Sequence, residues 1–214
     1  MESSEAIEQA KNAWGLDFTG QQETQLQKYV DLLSAWAERV RLISRNDRAF
    51  IWERHILDGL SILQFLPKEG PLFDMGSGAG LPGLLVKIMR PDLQVHLIEP
   101  ARMKSLFLVE AIAQLGLKDV SAVRKRSEEL VGDAVFRGRF PIGTARAVAQ
   151  LPQLWKWVEP LLKVGGVFIA MKGPEPLEEF DKETRAGLNV RVEEIVLPVT
   201  NRQRSFVWIN KTQR

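Results

Sequence analysis

The chain has 214 residues, of which 45% are apolar and 26% charged, with a formal net charge of +2. These values are typical of one globular domain with a buried core. The sequence has no cysteine and two histidines, which excludes disulfides and a cysteine nucleophile and argues against a metal centre. No stretch reaches the ~20 apolar residues that span a bilayer, and the acidic N-terminus lacks a signal core, so we expect a cytoplasmic protein.

Residues 1–68 are predicted to form a helical cap. Thr19 and Gln22 have the spacing of a capping box, and apolar residues then recur at helical intervals. Further helices are predicted over residues 47–55, with Asp47 as the capping residue, and over 58–66, ending before a proline.

Residues 69–214 alternate between strands and helices and are predicted to form the α/β core of the same domain. Strands are predicted at 72–75, 95–98, 120–123, 142–145 and 167–171. Helices are predicted at 82–90, 101–115, 151–161 and 175–187. A Gly165-Gly166 turn precedes the fifth strand, and residues 190–199 and 205–210 are predicted to form a closing hairpin. The alternation indicates a parallel sheet with right-handed crossovers.

The segment after the first strand is rich in glycine. Gly78, Gly80 and Gly83 satisfy a dinucleotide fingerprint, with an acid, Glu99, about 20 residues on. Two neighbours argue against a dinucleotide, because Asp74 would face the pyrophosphate and Pro82 removes a helix-terminal amide. A ligand with positive charge fits better. S-adenosylmethionine is such a ligand, and its ribose hydroxyls could bind Glu99.

Polar or glycine residues follow five successive predicted strands, where an open α/β sheet binds its ligand. They are Asp74 and Gly76, then Glu99, then Ser127 and Glu128, then Arg146, and then Lys172. Basic clusters also occur, at Arg39, Arg41, Arg45 and Arg48 and at residues 124–126. These clusters fit phosphate contacts and solvated faces equally well.

With these residues identified, the chain resembles the bacterial small-subunit ribosomal RNA guanine-N-7 methyltransferases, once called the glucose-inhibited division protein B family. The resemblance covers about residues 15 to 210. It rests on Arg54-His55-Ile56-Leu57-Asp58, on residues 74–83, on Arg146-Ala147, on Lys172-Gly173 and on Arg204. Two segments depart from the family pattern. Arg41-Leu42-Ile43-Ser44 replaces Asn-Leu-Thr, and Ala145-Arg146-Ala147 replaces Ser-Arg-Ala.

The resemblance implies a Rossmann-like class I methyltransferase sheet with an N-terminal helical cap and a C-terminal antiparallel hairpin. It implies methyl transfer from S-adenosylmethionine to N-7 of guanine 527 in 16S ribosomal RNA. The substrate would be the naked RNA or the small ribosomal subunit, including an assembly intermediate. We expect a monomer that does not contact membranes. A small-molecule methyltransferase and an RNA-binding module without catalysis are the alternatives, because this fold hosts several functions.

Site residues are predicted in two groups, with no metal ligands. The resemblance assigns cofactor contacts to Gly76, Leu81, Ser127, Glu128 and Arg146, and the residue pattern adds Asp74, Gly78, Gly80 and Glu99. The residues predicted to orient the target base are Arg146, Lys172 and His55.

Guanine N-7 carries a lone pair and no proton, so positioning can replace a general base. For His55, a core histidine bonded to Asp58 is the competing interpretation. Trp155 and Trp157 are predicted to be core residues.

Overall fold

The computed structural model describes residues 1–181 and 185–213. In these residues, seven strands form one sheet in the order β3-β2-β1-β4-β5-β7-β6. The strands are β1 (Leu72–Met75), β2 (Val95–Ile98), β3 (Val120–Val123), β4 (Phe140–Arg146), β5 (Leu162–Lys172), β6 (Asn189–Val196) and β7 (Gln203–Asn210). The first five pair in parallel, and β7 pairs antiparallel with both β5 and β6. The predicted α/β class and the antiparallel C-terminal strands are confirmed.

The α-helices whose bounds lie within the described residues cover the sheet. They are α1 (Ser3–Trp14), α2 (Gly20–Ala37), α3 (Leu57–Leu60), α4 (Gly83–Met89), α5 (Arg102–Gln114), α6 (Ser127–Val131) and α7 (Leu151–Val158). Successive residues of a strand point to opposite faces of the sheet and so enter two different apolar clusters. Leu72 packs with the cap helices, α4 and α5, and Phe73 packs with α6 and α7. The cap therefore shares a core with one face of the sheet.

The predicted capping box is present at the start of α2. The Gln22 amide donates to Thr19 Oγ1, and the Thr19 amide donates to Gln22 Oε1 at 2.8 Å. The two helices predicted over 47–66 are instead a run of short turns. A 3₁₀ turn (Arg45–Phe50) leads into a π-helical turn (Trp52–Ile56), α3 and a second 3₁₀ turn (Ser61–Phe65). Asp47 does not cap a helix because its carboxylate accepts hydrogen bonds from Ser44 and Arg54.

Two further predictions differ from the structure. Gly165 and Gly166 lie inside β5, beside a register shift against β4, and do not form a turn before the strand. Within the helix predicted over 175–187, the structure shows a 3₁₀ turn (Pro176–Glu179) and helical conformation at Arg185 and Ala186, whereas residues 182–184 lie outside the described residues. No helix in the described ranges is long and apolar enough to cross a membrane.

Candidate active site

The carboxyl ends of the parallel strands lie side by side. Met75 is in register with Ile98 on one side and with Ala145 on the other, and these in turn pair with Val123 and Ala170. Residues that follow these five positions therefore meet at one edge of the sheet, as predicted. A cleft of about 560 Å³ opens there. Of the predicted cofactor residues, four line it, namely Gly76, Glu99, Ser127 and Glu128.

Gly76 lies where the chain leaves β1, in a backbone conformation with φ of +67° that favours glycine. A Cβ at this position would lie 2.7 Å from Val148 Cγ2, on the loop after β4. Gly76 therefore lets two neighbouring loops approach closely at the cleft wall. Ala147, which also lines the cleft, has a φ of +55° and shows that the loop after β4 is constrained as well.

Asp74 is fully buried beneath the glycine turn and does not line the cleft. Its carboxylate accepts hydrogen bonds from Thr144 Oγ1 at 2.9 Å and from the Gly83 amide at 3.2 Å. Position 83 excludes any residue other than glycine, because a Cβ there would lie 2.8 Å from Asp74 Oδ2. Burial raises the pKa of the Asp74 carboxyl to about 6, although these hydrogen bonds favour its ionised form. Asp74 thus supports the turn from below, and its direct contact with a ligand stays a prediction.

Glu99 follows β2 and reaches into the cleft wall. Its Oε2 accepts a hydrogen bond from the Gly78 amide and its Oε1 accepts one from the Ala101 amide, both at 2.9 Å. The two backbone donors fix the carboxylate in one orientation. A carboxylate has about four lone-pair directions, so it can still accept from two ligand hydroxyls.

Gly78, Gly80 and Leu81 do not line the cleft. Gly78 acts through its amide on Glu99, whereas a Cβ on Gly80 would lie 2.3 Å from a Leu84 methyl. Leu81 is 6% exposed and belongs to the apolar cluster of the cap. In this structure Gly80 and Leu81 pack within the turn and the cap, and their ligand contacts stay predictions.

Three residues of the cleft wall were missed by the sequence analysis or assigned differently. Lys104 of α5 and Lys125 after β3 line the cleft, and neither was singled out as a site residue. Trp157 was predicted to be core, yet its half-buried ring lies in the same wall. Lys104 lies in the first turn of the helix that follows β2, close to the carboxyl end of that strand, and this position could have indicated a site residue.

Tyr29 connects the cap to the glycine turn. Its hydroxyl donates a hydrogen bond to the Ala79 carbonyl at 2.7 Å, and its ring is fully buried. The sequence predicted Tyr29 only as part of an apolar helical stripe. The structure shows that α2 also holds the turn that forms one side of the site.

Arg146 ends β4 and points toward the cap. Its guanidinium lies 3.1 Å from Asp58 Oδ2 and 2.6 Å from His55 Nδ1. Asp58 is 2% exposed and also binds the guanidinium of Arg204 from β7, at 2.6 and 2.7 Å. Arg204 in turn donates to the Lys172 carbonyl. We call His55, Asp58, Arg146 and Arg204 the arginine network. Because Arg146 faces this network, it is not part of the cleft wall.

His55 is buried in the π-helical turn, and its contact with Arg146 assigns its tautomer. A guanidinium only donates, so His55 Nδ1 is the acceptor and the ring proton of the neutral form is on Nε2. His55 Nε2 lies 3.6 Å from Asp47 Oδ2, beyond hydrogen-bond range. Burial, with the charge of Arg146, lowers the pKa of His55 to about 4. His55 is therefore a neutral positioning group bonded to Arg146, not to Asp58.

Lys172 uses all three ammonium protons within the protein. It donates to the Ala149 carbonyl at 2.7 Å and to both carboxylate oxygens of Glu179 at 2.9 and 2.8 Å. Glu179 also accepts from the Leu151 amide. A substrate contact of Lys172 stays a prediction, and in this structure its donors are used within the protein. Its ammonium holds the loop between β4 and α7.

The sequence matches a family model described as rRNA small subunit methyltransferase G over residues 22–207. Relatives of that name from Acetivibrio thermocellus and Mycobacterium leprae are 37% and 40% identical over 205 and 174 residues. These alignments cover 94% and 81% of this chain, and 85% and 70% of the relatives.

Solved structures with low sequence identity share the fold. An M. jannaschii TYW2 complex with AdoMet has a TM-score of 0.54 at 18% identity, covering 81% of this chain and 78% of that one. A Streptococcus thermophilus rRNA methylase has a TM-score of 0.51 at 16% identity, covering 74% and 93%. The predicted class I methyltransferase fold is confirmed. Because the family model spans most of the sequence, the chain belongs to the rRNA small subunit methyltransferase G family.

Proposed function

We propose that this protein transfers a methyl group from S-adenosylmethionine to N-7 of guanine 527 in 16S ribosomal RNA, acting as a cytoplasmic monomer. The observation that carries the proposal is that a cleft of ligand size lies next to the arginine network. Gly76, after β1, and Glu99 line the cleft, and Arg146 of the network ends the neighbouring strand β4. The family to which the chain belongs supplies the class of substrate.

The cleft fits the proposed cofactor in size and in donor set. A volume of about 560 Å³ lies in the range of small-molecule sites. Glu99, held by two backbone amides, would bind the ribose hydroxyls, and Ser127 and Glu128 would supply further polar contacts from the same cleft wall. When bound, S-adenosylmethionine supplies an electrophilic methyl group on a sulfonium. The buried negative charge of Asp74 lies beneath the turn and favours a cationic ligand.

The arginine network would orient the target base. Asp58 and His55 fix the Arg146 guanidinium in one plane, and its remaining N–H groups can donate to guanine O-6 or to a phosphate. Because N-7 has no proton, no residue need act as a base, and the neutral His55 is consistent with this. The contribution of the protein is then positioning and exclusion of water.

The test is methyl transfer with labelled S-adenosylmethionine to small ribosomal subunits from a strain that lacks the gene, followed by mapping of the labelled nucleotide. We expect a single labelled guanine, modified at N-7. Label found only in small molecules would contradict the RNA substrate. Binding of NADH without binding of S-adenosylmethionine would contradict the cofactor.

A further inference from the structure

A concave basic surface lies between the end of α2 and the 3₁₀ turn that follows it. It encloses about 550 Å³ and is lined by four arginines, Arg39, Arg41, Arg45 and Arg48. We call this surface the arginine concavity. It is separate from the cleft at the ends of the strands, because no residue lines both.

The charge of the arginine concavity is largely unneutralised. Between residues 39 and 54 the sequence has five arginines and two acids. Neither acid pairs with an arginine of the concavity, since Glu53 binds the Met1 amine at 2.8 Å and Asp47 binds Arg54, the one of the five that does not line it, at 2.6 Å.

The arginines themselves differ in their contacts. Arg48 donates to the Ala37 carbonyl and so helps to shape the concavity. For Arg39, Arg41 and Arg45, which are exposed, no carboxylate partner is found within residues 1–181 and 185–213. Glu38 is the one acid that lines the surface. A concave set of free guanidiniums is the arrangement that binds phosphates.

An aromatic side chain flanks the arginine concavity. The Phe50 ring is 44% exposed, and the Arg54 guanidinium lies over it at 4.5 Å from the centroid. A large exposed ring next to arginines is typical of surfaces on which unpaired bases stack.

The arginine concavity leads to the arginine network along one short segment. Asp47, near the start of the 3₁₀ turn, lies 3.6 Å from His55, and His55 contacts Arg146. A bound strand that lies along the concavity would therefore pass near the residues that orient the target base. One RNA molecule could therefore bind to the concavity and present its target base for methyl transfer.

From these observations we propose that the arginine concavity binds backbone phosphates of the substrate RNA, and that Phe50 stacks on an unpaired base next to the target guanine. This proposal rests on the proposed function and adds the surface on which the RNA docks. The occupant is RNA, not an acidic protein, because the exposed Phe50 adds a stacking surface that a carboxylate-rich partner would not use.

The test uses the Arg41→Glu/Arg45→Glu variant of the full chain and measures binding to transcribed 16S ribosomal RNA at several salt concentrations. We expect affinity to fall on the order of ten- to a hundredfold, and the slope of log K against log salt to shrink by about 0.7–0.9 for each phosphate that the variant no longer binds. S-adenosylmethionine affinity should stay within twofold, which shows that the variant is folded. If S-adenosylmethionine affinity falls by more than twofold, the milder Arg41→Gln/Arg45→Gln variant is measured instead. The same loss of RNA affinity and of salt slope is then expected.

Arg137→Glu in the wild-type chain is the matched control, because it is an exposed arginine in the loop that enters β4 at the opposite edge of the sheet. It should leave RNA affinity nearly unchanged. Phe50→Leu should weaken RNA binding by about tenfold with an unchanged salt slope, because it removes the ring and no charge.

Three outcomes would overturn the proposal. The first is an unchanged salt slope in the double variant, and the second is an equal loss in Arg137→Glu. The third is a loss of binding to assembled small subunits with unchanged binding to naked RNA, which would indicate an acidic protein partner. If wild-type protein methylates RNA and the variants do so equally well, only the docking surface is wrong. If wild-type protein methylates no RNA, the proposed function itself fails.

Discussion

The glycine turn and the arginine network are built in opposite ways. Asp74, Gly76 and Gly83 lie within ten residues of one another, so the turn is formed by one short segment, which Thr144 and Tyr29 then hold from other elements. The arginine network joins Asp58 to Arg204, which is 146 residues later in the chain. The backbone of the turn comes from one segment of the chain, whereas the arginine network exists only when the cap, β4 and β7 are assembled together.

The largest expected effect is on the arginine network. Asp58→Ala would leave Arg146 and Arg204 without their shared carboxylate in a largely buried setting. We expect a loss of about 3–5 kcal/mol in the free energy of unfolding, measured by urea denaturation. Asp92→Ala is the matched control, since Asp92 also binds an arginine but is exposed, and it should cost less than about 1 kcal/mol. Equal losses in the two variants would show that the network is not a buried unit.

Asp74 provides the corresponding test of the glycine turn. Its pKa of about 6 in the folded protein lies above its unfolded value, so its protonation stabilises the fold at low pH, and this stabilisation is lost as pH rises through 6. Relative to wild type, Asp74→Asn should therefore become less stable by on the order of 3 kcal/mol as pH falls from 7 to 4. Denaturation of both proteins across this range measures the difference. A difference that does not vary with pH would place the Asp74 pKa near its ordinary value.

Arg146→Lys tests whether the network orients the substrate. A lysine can reach either Asp58 or His55 but has no planar fork to bind both. We expect methyl transfer to fall on the order of a hundredfold in single turnovers, with cofactor affinity within a few fold, because Arg146 lies outside the cleft wall. Arg137→Lys is the control. Unchanged turnover in Arg146→Lys would remove Arg146 from the orienting role.

Gly76→Ala tests the cleft wall. The new Cβ would clash with Val148 and would occupy a backbone conformation that favours glycine, so we expect about a tenfold loss of S-adenosylmethionine affinity by calorimetry. Adding Val148→Ala should restore part of the affinity by relieving the contact. Gly132→Ala, at a position with open space, should change nothing. Full affinity in Gly76→Ala would mean that the loops are not closely fitted at this point.

The smallest expected change is at His55. Burial and Arg146 lower its pKa to about 4, so the ring should stay neutral from pH 5 to 8. Nuclear magnetic resonance of the imidazole nitrogens can measure this, and because the chain has two histidines, a His96→Gln variant assigns the signals. Titration of His55 near pH 6.5 would contradict the buried contact with Arg146.

The sequence predicted the local features well and the long-range ones poorly. The bounds of β1, β2 and β3 were predicted to the residue, because each is a short run of mostly apolar residues between glycine, proline or charged residues. Gly76 and Glu99 were placed in the cleft by strand-end position alone. Lys172 was not recognised as a loop-holding residue, because its partner Glu179 lies in a segment predicted to be helical. The π-helical turn that carries His55 has no periodic signal that a sequence could reveal.

The ion pair between Asp58 and Arg204 has a consequence for synthesis of the chain. Asp58 belongs to the cap, whereas Arg204 lies in β7, which follows the six other strands in the sequence. While a ribosome makes this protein, the glycine turn and the first strands can emerge and begin to fold, yet Asp58 lacks its second arginine partner until β7 has emerged and inserted beside β5. A nascent chain would therefore be able to form the walls of the cleft before the arginine network is complete.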